Sequence, residues 1–454
     1  MEPATNEQPV MELQGKKILV LGLARTGLAV ARFLARRGAR VVGADARAGD
    51  AMGQARNELS RLSAACHLGP EEAAWLDGVE AVMPSPGVPR DNPLLAEAAR
   101  RGIEVLSEIE LAARFNRTPM VAITGTNGKT TTTRLVAAVL EAAGLRVFAG
   151  GNIGQPLIEC VAGNWDWGVV EVSSFQLEWV RDFRPRVALC LNLSEDHLDR
   201  YDGLASYGAA KARIFAAQHP DDVAVLNRDD PWVWALRPRL DARTVSFGWS
   251  EVEEGAFVAG DAIVWRGDGA EERFPLRDLG LRGVHNVENV MAAVCAAKAV
   301  GVQGRHIRTA ARQFRGIEHR LELVRELDGV RYFNDSKGTN VGAVQKSLAS
   351  FDGPIVLIAG GVHKGGSYRN LEPLVRERVR KLVLLGEAAG IMKESLGALT
   401  DTSVVADLAE AVRQARAAAH AGDVVLLSPA CSSFDMFENY GERGRAFKEL
   451  VQAL

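Results

Sequence analysis

The chain has 454 residues, too many for one ordinary hydrophobic core, so its length predicts two or three domains. Hydrophobic residues make up 47% of the sequence and charged residues 24%, which is typical of a water-soluble globular protein. The formal net charge of −3 argues against the broad basic surface that a nucleic acid requires. We therefore expect no nucleic-acid partner, and any phosphate site must be local.

The spacing of the cysteines and the length of the apolar runs indicate the cellular compartment of the protein. The five cysteines are scattered and form no C-x-x-C pair, which argues against a disulfide framework or a zinc site and fits a reducing environment. Glu2, Glu7 and Glu12 precede any apolar run, which is unlike a secretory signal peptide. No apolar stretch approaches the roughly 20 residues of a spanning helix, so we expect no membrane insertion. These features predict a cytoplasmic enzyme or binding protein.

Three segments share one pattern, in which a short apolar run leads into glycine and then, in the first two, into a helical pattern. These runs are residues 17–21, 119–123 and 354–359. Such strands alternating with amphipathic helices predict parallel sheets that bind ligands at the carboxyl ends of their strands. We therefore predict an α/β protein with three α/β domains, at residues 1–108, 109–316 and 317–454. Residues 247–274 are Gly-rich and alternating, which predicts a β-hairpin excursion inside the middle domain.

The strongest chemical signal is G-T-N-G-K-T at residues 125–130, between a predicted strand and a predicted helix. Glycines let backbone N–H groups surround phosphate oxygens, and the helix N-terminus adds partial positive charge. Lys129 would reach the β- and γ-phosphates, and Thr130 would offer its hydroxyl to Mg²⁺. The strict Walker spacing is not met, because Ile123 stands six positions before Lys129, and an ordinary glycine-rich turn is the alternative. The lysine, the threonine and both flanking elements favour a phosphate loop.

A second loop, G-L-A-R-T-G at residues 22–27, is less specific. It matches G-x-G-x-x-G only if Ala24 replaces the middle glycine, where the backbone must approach a pyrophosphate. Asp45 ends the next strand-like run, where an acid that binds ribose often lies. A dinucleotide site, a mononucleotide-diphosphate site and a structural turn all fit, so this loop alone does not decide between them.

Polar residues follow two further predicted strands in the middle of the chain. Glu171 ends an apolar strand, where a carboxylate needs a partner or a metal. His197 follows another strand; singly it is more typical of a loop histidine, and Mg²⁺ prefers oxygen ligands. Together with Glu171 and the phosphate loop, it favours a shared Mg²⁺–nucleotide site. Lys211 lies in a helical run, where the pattern alone favours a solvated surface lysine.

The last third of the chain has three polar clusters, each directly after a strand-like run. They lie at residues 334–340, 362–366 and 428–435. Arg320, before the first cluster, adds a cation that could face a phosphate. As isolated loops the clusters fit turns and caps. As a set along one sheet edge they favour a binding wall for a small anionic substrate.

These motifs resemble the Mur ligase family, in that family's order, along nearly the whole chain. The motifs that carry the resemblance are T-G-T-N-G-K-T-T, G-G-N-I-G, E-V-S-S-F-Q-L-E, L-N-L-S-E-D-H-L-D-R-Y, G-V-H-N-V-E-N-V, H-R-L-E and N-D-S-K-G-T-N. S-P-G-V-P, H-K-G-G and L-S-P-A-C-S-S-F-D are similar to the branch that adds D-glutamate. The sequence lacks D-N-P-R, which the branch that adds diaminopimelate or lysine is expected to show.

The resemblance implies an ATP-dependent amide ligase that adds D-glutamate to UDP-N-acetylmuramoyl-L-alanine through an acyl phosphate, in cytoplasmic peptidoglycan precursor synthesis. It implies a Rossmann-like UDP-binding domain, a central P-loop-type ATPase domain with a mostly parallel sheet, and a Rossmann-like amino-acid-binding domain. ATP and two Mg²⁺ ions are the implied cofactors, and we expect a monomer. The loop at residues 22–27 would then hold a UDP diphosphate and not NAD.

The resemblance also implies a role for each site residue. Residues expected at ATP are Gly125, Thr126, Asn127, Gly128, Lys129, Thr130, Thr131, Asn289, Arg320 and Asp335. Those expected at the metals are Thr130, Glu171, His197 and a carbamylated Lys211, and the expected catalytic residues are Lys129, His197 and Lys211. Those expected at the UDP substrate are Gly22, Arg25, Thr26, Gly27, Asp45, Arg47, Ser85, Gly87, Asn152 and Ser173. Those expected at D-glutamate are Lys337, Thr339, Lys364, Ser433 and Tyr440.

Three other functions compete with this one. Another amide ligase of the same architecture, such as an L-alanine-adding ligase or folylpolyglutamate synthetase, would differ in the C-terminal amino-acid pocket. An NAD-dependent dehydrogenase using the loop at residues 22–27 leaves Lys129, Glu171 and His197 unexplained. A non-catalytic nucleotide sensor would bind ATP without releasing ADP when the substrate is added.

Overall fold

The computed structural model describes residues 11–49, 52–198, 200–267, 269–281, 283–316, 318–351 and 353–454. Glu2 and Glu7, which argue against a signal peptide, and Ile317, where the predicted third domain begins, lie outside the described residues. Among the described helices, none is long and apolar enough to cross a membrane.

The first sheet has five parallel strands in the order β3-β2-β1-β4-β5. The strands are β1 Lys17–Leu21, β2 Arg40–Asp45, β3 Ala65–Leu68, β4 Ala81–Pro84 and β5 Glu104–Val105. Its helices are α1 Arg25–Arg36, α2 Gly53–Arg61, α3 Pro93–Arg100 and α4 Glu108–Phe115. Capping side chains fix two helix starts, because Asn92 accepts from the first turn of α3 and Ser107 accepts from the N–H of Glu110 in α4.

The second sheet has nine strands in the order β14-β13-β12-β11-β10-β9-β6-β8-β7. The strands are β6 Met120–Thr124, β7 Val147–Gly151, β8 Trp167–Glu171, β9 Val187–Cys190, β10 Val223–Asn227, β11 Arg243–Gly248, β12 Gly255–Ala259, β13 Ala262–Gly267 and β14 Ala270–Pro275. Its helices are α5 Lys129–Ala142, α6 Ser174–Leu177, α7 Leu204–Ala212, α8 Pro231–Trp234, α9 Val284–Ala299 and α10 Gly304–Gln313. Strands β12 to β14 are antiparallel, which confirms the predicted hairpin excursion.

The third sheet has six strands in the order β15-β16-β20-β17-β18-β19 and is parallel except at β15. The strands are β15 Glu322–Leu327, β16 Val330–Asn334, β17 Ile355–Gly360, β18 Val379–Leu385, β19 Asp401–Val404 and β20 Val424–Leu427. Its helices are α11 Val341–Ala349, α12 Glu372–Arg378, α13 Ala389–Leu396, α14 Leu408–Ala418 and α15 Tyr440–Gln452. Three mostly parallel sheets with helices confirm the predicted α/β class.

Interior strands of the second and third sheets are buried along their whole length, and β1 of the first sheet is buried except at Lys17, as all-apolar runs predict. One apolar cluster runs from the first sheet into the second, through Ile109 and Leu111 of α4. The described residues of the third sheet pack in two clusters of their own. The first two sheets thus share a hydrophobic core, and the third has a separate one.

Candidate functional site

The loop between β6 and α5 has the backbone conformation of a phosphate loop. Gly125 and Gly128 have φ angles of 144° and 86°, which L side chains rarely adopt. A Cβ at Gly128 would lie 2.3 Å from the Asn289 Oδ1 atom, so glycine is also required by space. Lys129 directs Nζ back at the loop and donates to the carbonyls of Gly125 (2.8 Å) and Thr126 (2.9 Å). Burial lowers the pKa of Lys129, and the charge of Glu171 partly offsets that effect.

Glu171 lies at the end of β8, beside this loop. Its side chain is buried, and Oε1 accepts a hydrogen bond of 2.8 Å from Asn152 Nδ2. In the described part of the chain Oε2 is also buried but has no hydrogen-bond partner. A buried carboxylate oxygen left without a partner is costly unless a cation meets it. Together with the Thr130 hydroxyl, this oxygen fits Mg²⁺, which prefers oxygen ligands.

His197 and Lys211 each contact an aromatic side chain. His197 has a φ of 54°, and its ring lies edge-on to Phe175 at 4.7 Å. Lys211 is only 1% exposed and donates through Nζ to the Gly125 carbonyl at 2.9 Å, while Nζ lies 4.3 Å from the Tyr207 ring centroid. The pattern-based interpretation of Lys211 as a surface lysine is therefore wrong. Burial, and then the charge of Lys129, lower its pKa well below the ordinary lysine value.

The third sheet contributes cations to the same place. Lys337 donates through Nζ to the Thr130 hydroxyl at 3.1 Å and lies 5.0 Å from the Tyr440 ring centroid. Burial lowers the pKa of Lys337 to about 7. Lys364 donates to the Thr339 hydroxyl at 3.4 Å. Lys337, expected at D-glutamate, thus contacts the phosphate loop directly.

Two further charged groups, Arg320 and Asp335, lie in the same cleft as these lysines. The Nε atom of Arg320 is buried and has no hydrogen-bond partner among the residues that the structure describes. Such an unsatisfied donor suits an anionic ligand. Asp335 accepts hydrogen bonds of 2.7 Å from the hydroxyls of Ser347 and Ser428. Burial raises the pKa of Asp335 to about 6, against the lowering effect of those bonds.

These groups line one cleft of about 480 Å³ between the second and third sheets. The lining includes, of the residues expected from the sequence, Thr126, Asn127, Gly128, Lys129, Thr130, Thr131, Asn152, Glu171, His197, Asn289, Arg320, Asp335, Lys337, Thr339, Lys364, Ser433 and Tyr440. Gly125 and Lys211 lie directly behind it, joined by their hydrogen bond. Ser173 is instead engaged in a capping box with Gln176 at the start of α6.

Eight of the ten residues expected at the UDP substrate, all except Asn152 and Ser173, form a second group at the carboxyl edge of the first sheet and do not line this cleft. A Cβ at Gly27 would lie 1.9 Å from the Gly22 carbonyl oxygen, which also accepts from the Ser85 hydroxyl at 2.7 Å. Asp45 accepts from the N–H of Leu23 at 2.8 Å and from both sides of the Arg47 guanidinium at 2.9 Å. Burial acts to raise the pKa of Asp45, but these bonds outweigh it and lower it to about 2. Arg25 and Thr26 begin α1, and Gly87 lies in the loop after β4.

Sequence reasoning assigned no role to several residues that organise the cleft. Asn340 donates through Nδ2 to Asp196 Oδ2 at 3.0 Å and so joins the third sheet to the second. Asn192 accepts from the N–H of Asn127 (2.8 Å) and donates to its carbonyl (3.1 Å), which fixes the phosphate loop. All three lie in motifs recognised in the sequence, but only their spatial contacts reveal these roles.

Comparisons with known proteins cover nearly the whole chain. Residues 16–107 match the Mur ligase MurD-like N-terminal domain, residues 123–297 the Mur ligase middle domain, and residues 319–431 the Mur ligase glutamate ligase domain. A UDP-N-acetylmuramoylalanine–D-glutamate ligase from Geobacter metallireducens is 53% identical, covering 98% of this chain and 99% of that protein. The protein of the same name from Geotalea daltonii is 51% identical with the same coverage.

Solved structures agree at the level of the fold. A pseudomurein peptide ligase type C from Methanothermus fervidus superposes with a TM-score of 0.62 at 20% identity, over 97% of this chain and 100% of that one. The order of the three sheets, the phosphate-loop cleft and these matches lead to one conclusion. The chain belongs to the Mur ligase family.

Proposed function

We propose that this protein is an ATP-dependent, ADP-forming amide ligase that adds D-glutamate to UDP-N-acetylmuramoyl-L-alanine. Relatives about 50% identical over almost their full length bear the name of that reaction. The cleft carries the proposal, because it combines a phosphate loop, a buried unpartnered carboxylate oxygen and the cations of the third sheet. Those groups suit transfer of a phosphoryl group onto a carboxylate that an amine then attacks.

ATP occupies the side of the cleft formed by the phosphate loop. Lys129 leaves its loop carbonyls to meet the β- and γ-phosphates, and Arg320, whose Nε has no hydrogen-bond partner among the described residues, offers a second cation. Asn289 lies beside the loop on α9, where it faces the adenine, and Asp335 faces the ribose. These groups orient the nucleotide and offset the charge of the transferring phosphoryl group.

Thr130, Glu171, His197 and Lys211 are the residues that would hold two Mg²⁺ ions. The bound ions would supply neutralisation of charge on the transferring group. The unpartnered Glu171 oxygen and the Thr130 hydroxyl suit the ion nearest ATP. His197 lines the cleft and contacts Phe175, and Lys211 lies behind the cleft and contacts Tyr207.

Lys211 would serve as a carbamate. Two lysine Nζ atoms, those of Lys129 and Lys211, donate to the single Gly125 carbonyl, which places two ammonium groups close together in a buried site. The Lys211 ammonium first loses a proton, and the neutral amine then adds to CO₂ and releases a second proton, so that a carbamate anion replaces a buried positive charge. That exchange favours both the neighbouring lysine and a divalent cation.

The reaction then has two stages. The alanyl carboxylate attacks the γ-phosphorus, which gives an acyl phosphate and ADP. The D-glutamate amine attacks the acyl carbon, and the tetrahedral intermediate loses phosphate to leave the amide. Lys364, Thr339 and Ser433 line the third sheet's side of the cleft, where a cation and two hydroxyls suit the carboxylates of the amino acid.

The UDP end of the substrate binds at the first sheet, at the loops of Gly22 and Ser85. Gly22, Gly27 and Ser85 form a close backbone turn at the start of α1, where a helix N-terminus suits a diphosphate. The Asp45–Arg47 pair at the end of β2 closes this site. Asn152, which lines the cleft, and Ser173, which caps α6, suit the lactoyl-alanyl end.

The three sheets correspond to three proposed domains, at residues 1–108, 109–316 and 317–454. They would bind the UDP substrate, ATP and the amino acid respectively. We also propose that the protein acts as a monomer in the cytoplasm.

The direct test is ADP release with UDP-N-acetylmuramoyl-L-alanine while the amino acid is varied among D-glutamate, L-glutamate, L-alanine and meso-diaminopimelate. D-glutamate should give the highest kcat/KM, since a pocket that fixes charged groups rejects partners that leave them unpaired. Equal kcat/KM for D-glutamate and L-alanine would favour another ligase of this family. ATP binding without ADP release under any of these conditions would favour a nucleotide sensor.

A further inference from the structure

Arg200 joins the loop after β4, where the UDP end is proposed to bind, to the turn at His197, where a metal is proposed to bind. It lies three residues after His197, and its guanidinium reaches across to the loop after β4, where Nη1 donates to the Pro86 carbonyl at 2.9 Å. Pro86 directly follows Ser85, whose hydroxyl donates to the Gly22 carbonyl. The Arg200 side chain therefore connects the Ser85 loop, expected at the nucleotide-sugar, with the turn at His197, expected at a metal.

The other side of the guanidinium is held by a buried carboxylate. Nε and Nη2 of Arg200 donate to the two oxygens of Glu178 at 3.1 and 2.6 Å. The side chains of Arg200 and Glu178 are 12% and 2% exposed, so the pair is screened little by solvent. Tyr201 donates its hydroxyl to the same carboxylate at 2.7 Å. The planar guanidinium thus meets a carboxylate and a carbonyl together, which a lysine ammonium cannot match.

The same contacts fix the backbone at His197. The φ of 54° at His197 is uncommon for a residue other than glycine and needs support from its surroundings. The His197 carbonyl accepts from the N–H groups of Arg200 (3.0 Å) and Tyr201 (3.2 Å), the two residues that Glu178 anchors. The Arg200 guanidinium also stacks 4.1 Å from the ring centroid of Phe175, which contacts the His197 ring.

We propose that Arg200 is a positioning residue that ties the 85–88 loop of the first sheet to the His197 turn of the second. This inference rests on the proposed function, because it assumes that the nucleotide-sugar binds at one end of the link and reacts at the other. Arg200 touches no reacting atom. It sets the distance between the first-sheet loops that hold the UDP end and the part of the cleft near His197 where the alanyl carboxylate reacts.

The test compares Arg200→Met with Arg184→Met. Arg184 is a matched control, since it forms another buried pair in the second sheet, 2.6 Å from Asp222, with its side chain 16% exposed. Two quantities are measured: the calorimetric Kd for UDP-N-acetylmuramoyl-L-alanine without ATP or Mg²⁺, and the Mg²⁺ concentration that gives half-maximal ADP release. Arg200→Met should raise each about tenfold, or about 1.4 kcal/mol, and leave the KM for D-glutamate within about twofold. Arg184→Met should change neither.

A folded Arg200→Met protein whose Kd and Mg²⁺ requirement equal those of Arg184→Met would overturn the inference. If Arg200→Met does not fold, Arg200→Lys decides, because a lysine meets either Glu178 or the Pro86 carbonyl. A several-fold weaker Kd in Arg200→Lys supports the link, and a Kd equal to the parent's refutes it. Absence of ADP release in the parent itself would instead refute the proposed function.

Discussion

The Gly125 carbonyl accepts hydrogen bonds from two lysines, and this shared contact explains much of the chemistry expected at the cleft. Burial lowers the pKa of both lysines, and the charge of Lys129 lowers the pKa of Lys211 further. Lys129 has an anionic partner to move to when a triphosphate binds. The Lys211 Nζ donates to a neutral backbone carbonyl behind the cleft, which is why a carbamate suits it.

Lys129→Ala should lower kcat by about 10² to 10³-fold or more, because a phosphate-loop lysine acts on charge that develops in the transition state. Circular dichroism and the Tm should stay close to those of the parent, since among the described residues the lysine donates only to carbonyls of its own loop. Lys16→Ala, at a half-buried lysine that pairs with Glu80 far from the loop, is the control. Near-normal kcat in a folded Lys129→Ala protein would remove this loop from the mechanism.

Lys211→Ala should also lose activity, but in a way that a small carboxylate repairs. If the carbamate supplies the missing negative charge, added acetate should fill the cavity and restore part of kcat in Lys211→Ala. Acetate should not restore Lys129→Ala, which lacks a cation. Mass spectrometry under CO₂ should show one added carbamate in the parent and none in the variant. Parental activity in Lys211→Ala without acetate would mean that the second metal site is built from other residues.

At the scale of elements, α4 joins the first two sheets through a buried carboxylate. Glu108 begins α4, and its Oε1 accepts the N–H of Ile158 at 2.6 Å in the short 3₁₀ helix Leu157–Ala162. Oε2 is buried and has no partner among the described residues. Burial raises the pKa of Glu108 to about 7, against the lowering effect of the backbone bonds.

This carboxyl makes stability depend on pH. Its folded pKa of about 7 lies above the ordinary value of 4.5, so the folded state holds the proton more tightly. The stability it contributes is complete below about pH 4.5 and is lost as the pH rises through 7, up to about 3 kcal/mol at 1.36 kcal/mol per pKa unit. Glu108→Gln keeps an acceptor for Ile158 and does not titrate. The free energy of unfolding of Glu108→Gln minus that of the parent should therefore be larger at pH 8 than at pH 5.

Urea unfolding at both pH values measures this difference. Glu253→Gln is the control, because the Glu253 side chain is 90% exposed and should leave the pH profile unchanged. Parallel pH profiles for Glu108→Gln and the parent would show that Glu108 ionises as freely in the fold as in water.

Elements and their order are the part of this protein that its sequence predicts well. Apolar runs followed by glycine predict the central strands of all three sheets, because parallel strands covered on both faces have no polar alternation. The polar clusters after those strands meet at one cleft for the same reason. Lys211 could not be placed, since the composition of α7 does not show which side faces the second sheet. The contact of Lys337 with Thr130 could not be predicted either, because the relative placement of two sheets is not encoded in local sequence pattern.

At the scale of the whole molecule, the two junctions between sheets differ. The first and second sheets share a hydrophobic core through α4. The third sheet approaches the second across the polar cleft, through Lys337–Thr130, Asn340–Asp196 and Lys346–Glu288. Polar contacts around a cleft resemble a transient interface more than a core. We therefore expect the third domain to be the part whose position responds to bound ligands.

Asn340→Asp tests this expectation with little change to local structure. Asn340 caps α11 by accepting the N–H of Ala343 at 2.8 Å, and aspartate caps as well as asparagine. The new carboxylate would face Asp196, whose Oδ2 lies 3.0 Å from Asn340 Nδ2, so attraction becomes repulsion. Small-angle scattering should show a larger radius of gyration, and the KM for D-glutamate should rise about tenfold, or about 1.4 kcal/mol.

High salt should reduce both effects, because screening weakens repulsion between partly exposed charges. Asp407→Asn, the reverse exchange at the cap of α14, should change neither quantity. Parental scattering and parental KM in Asn340→Asp would show that the third domain is fixed by contacts other than these polar ones.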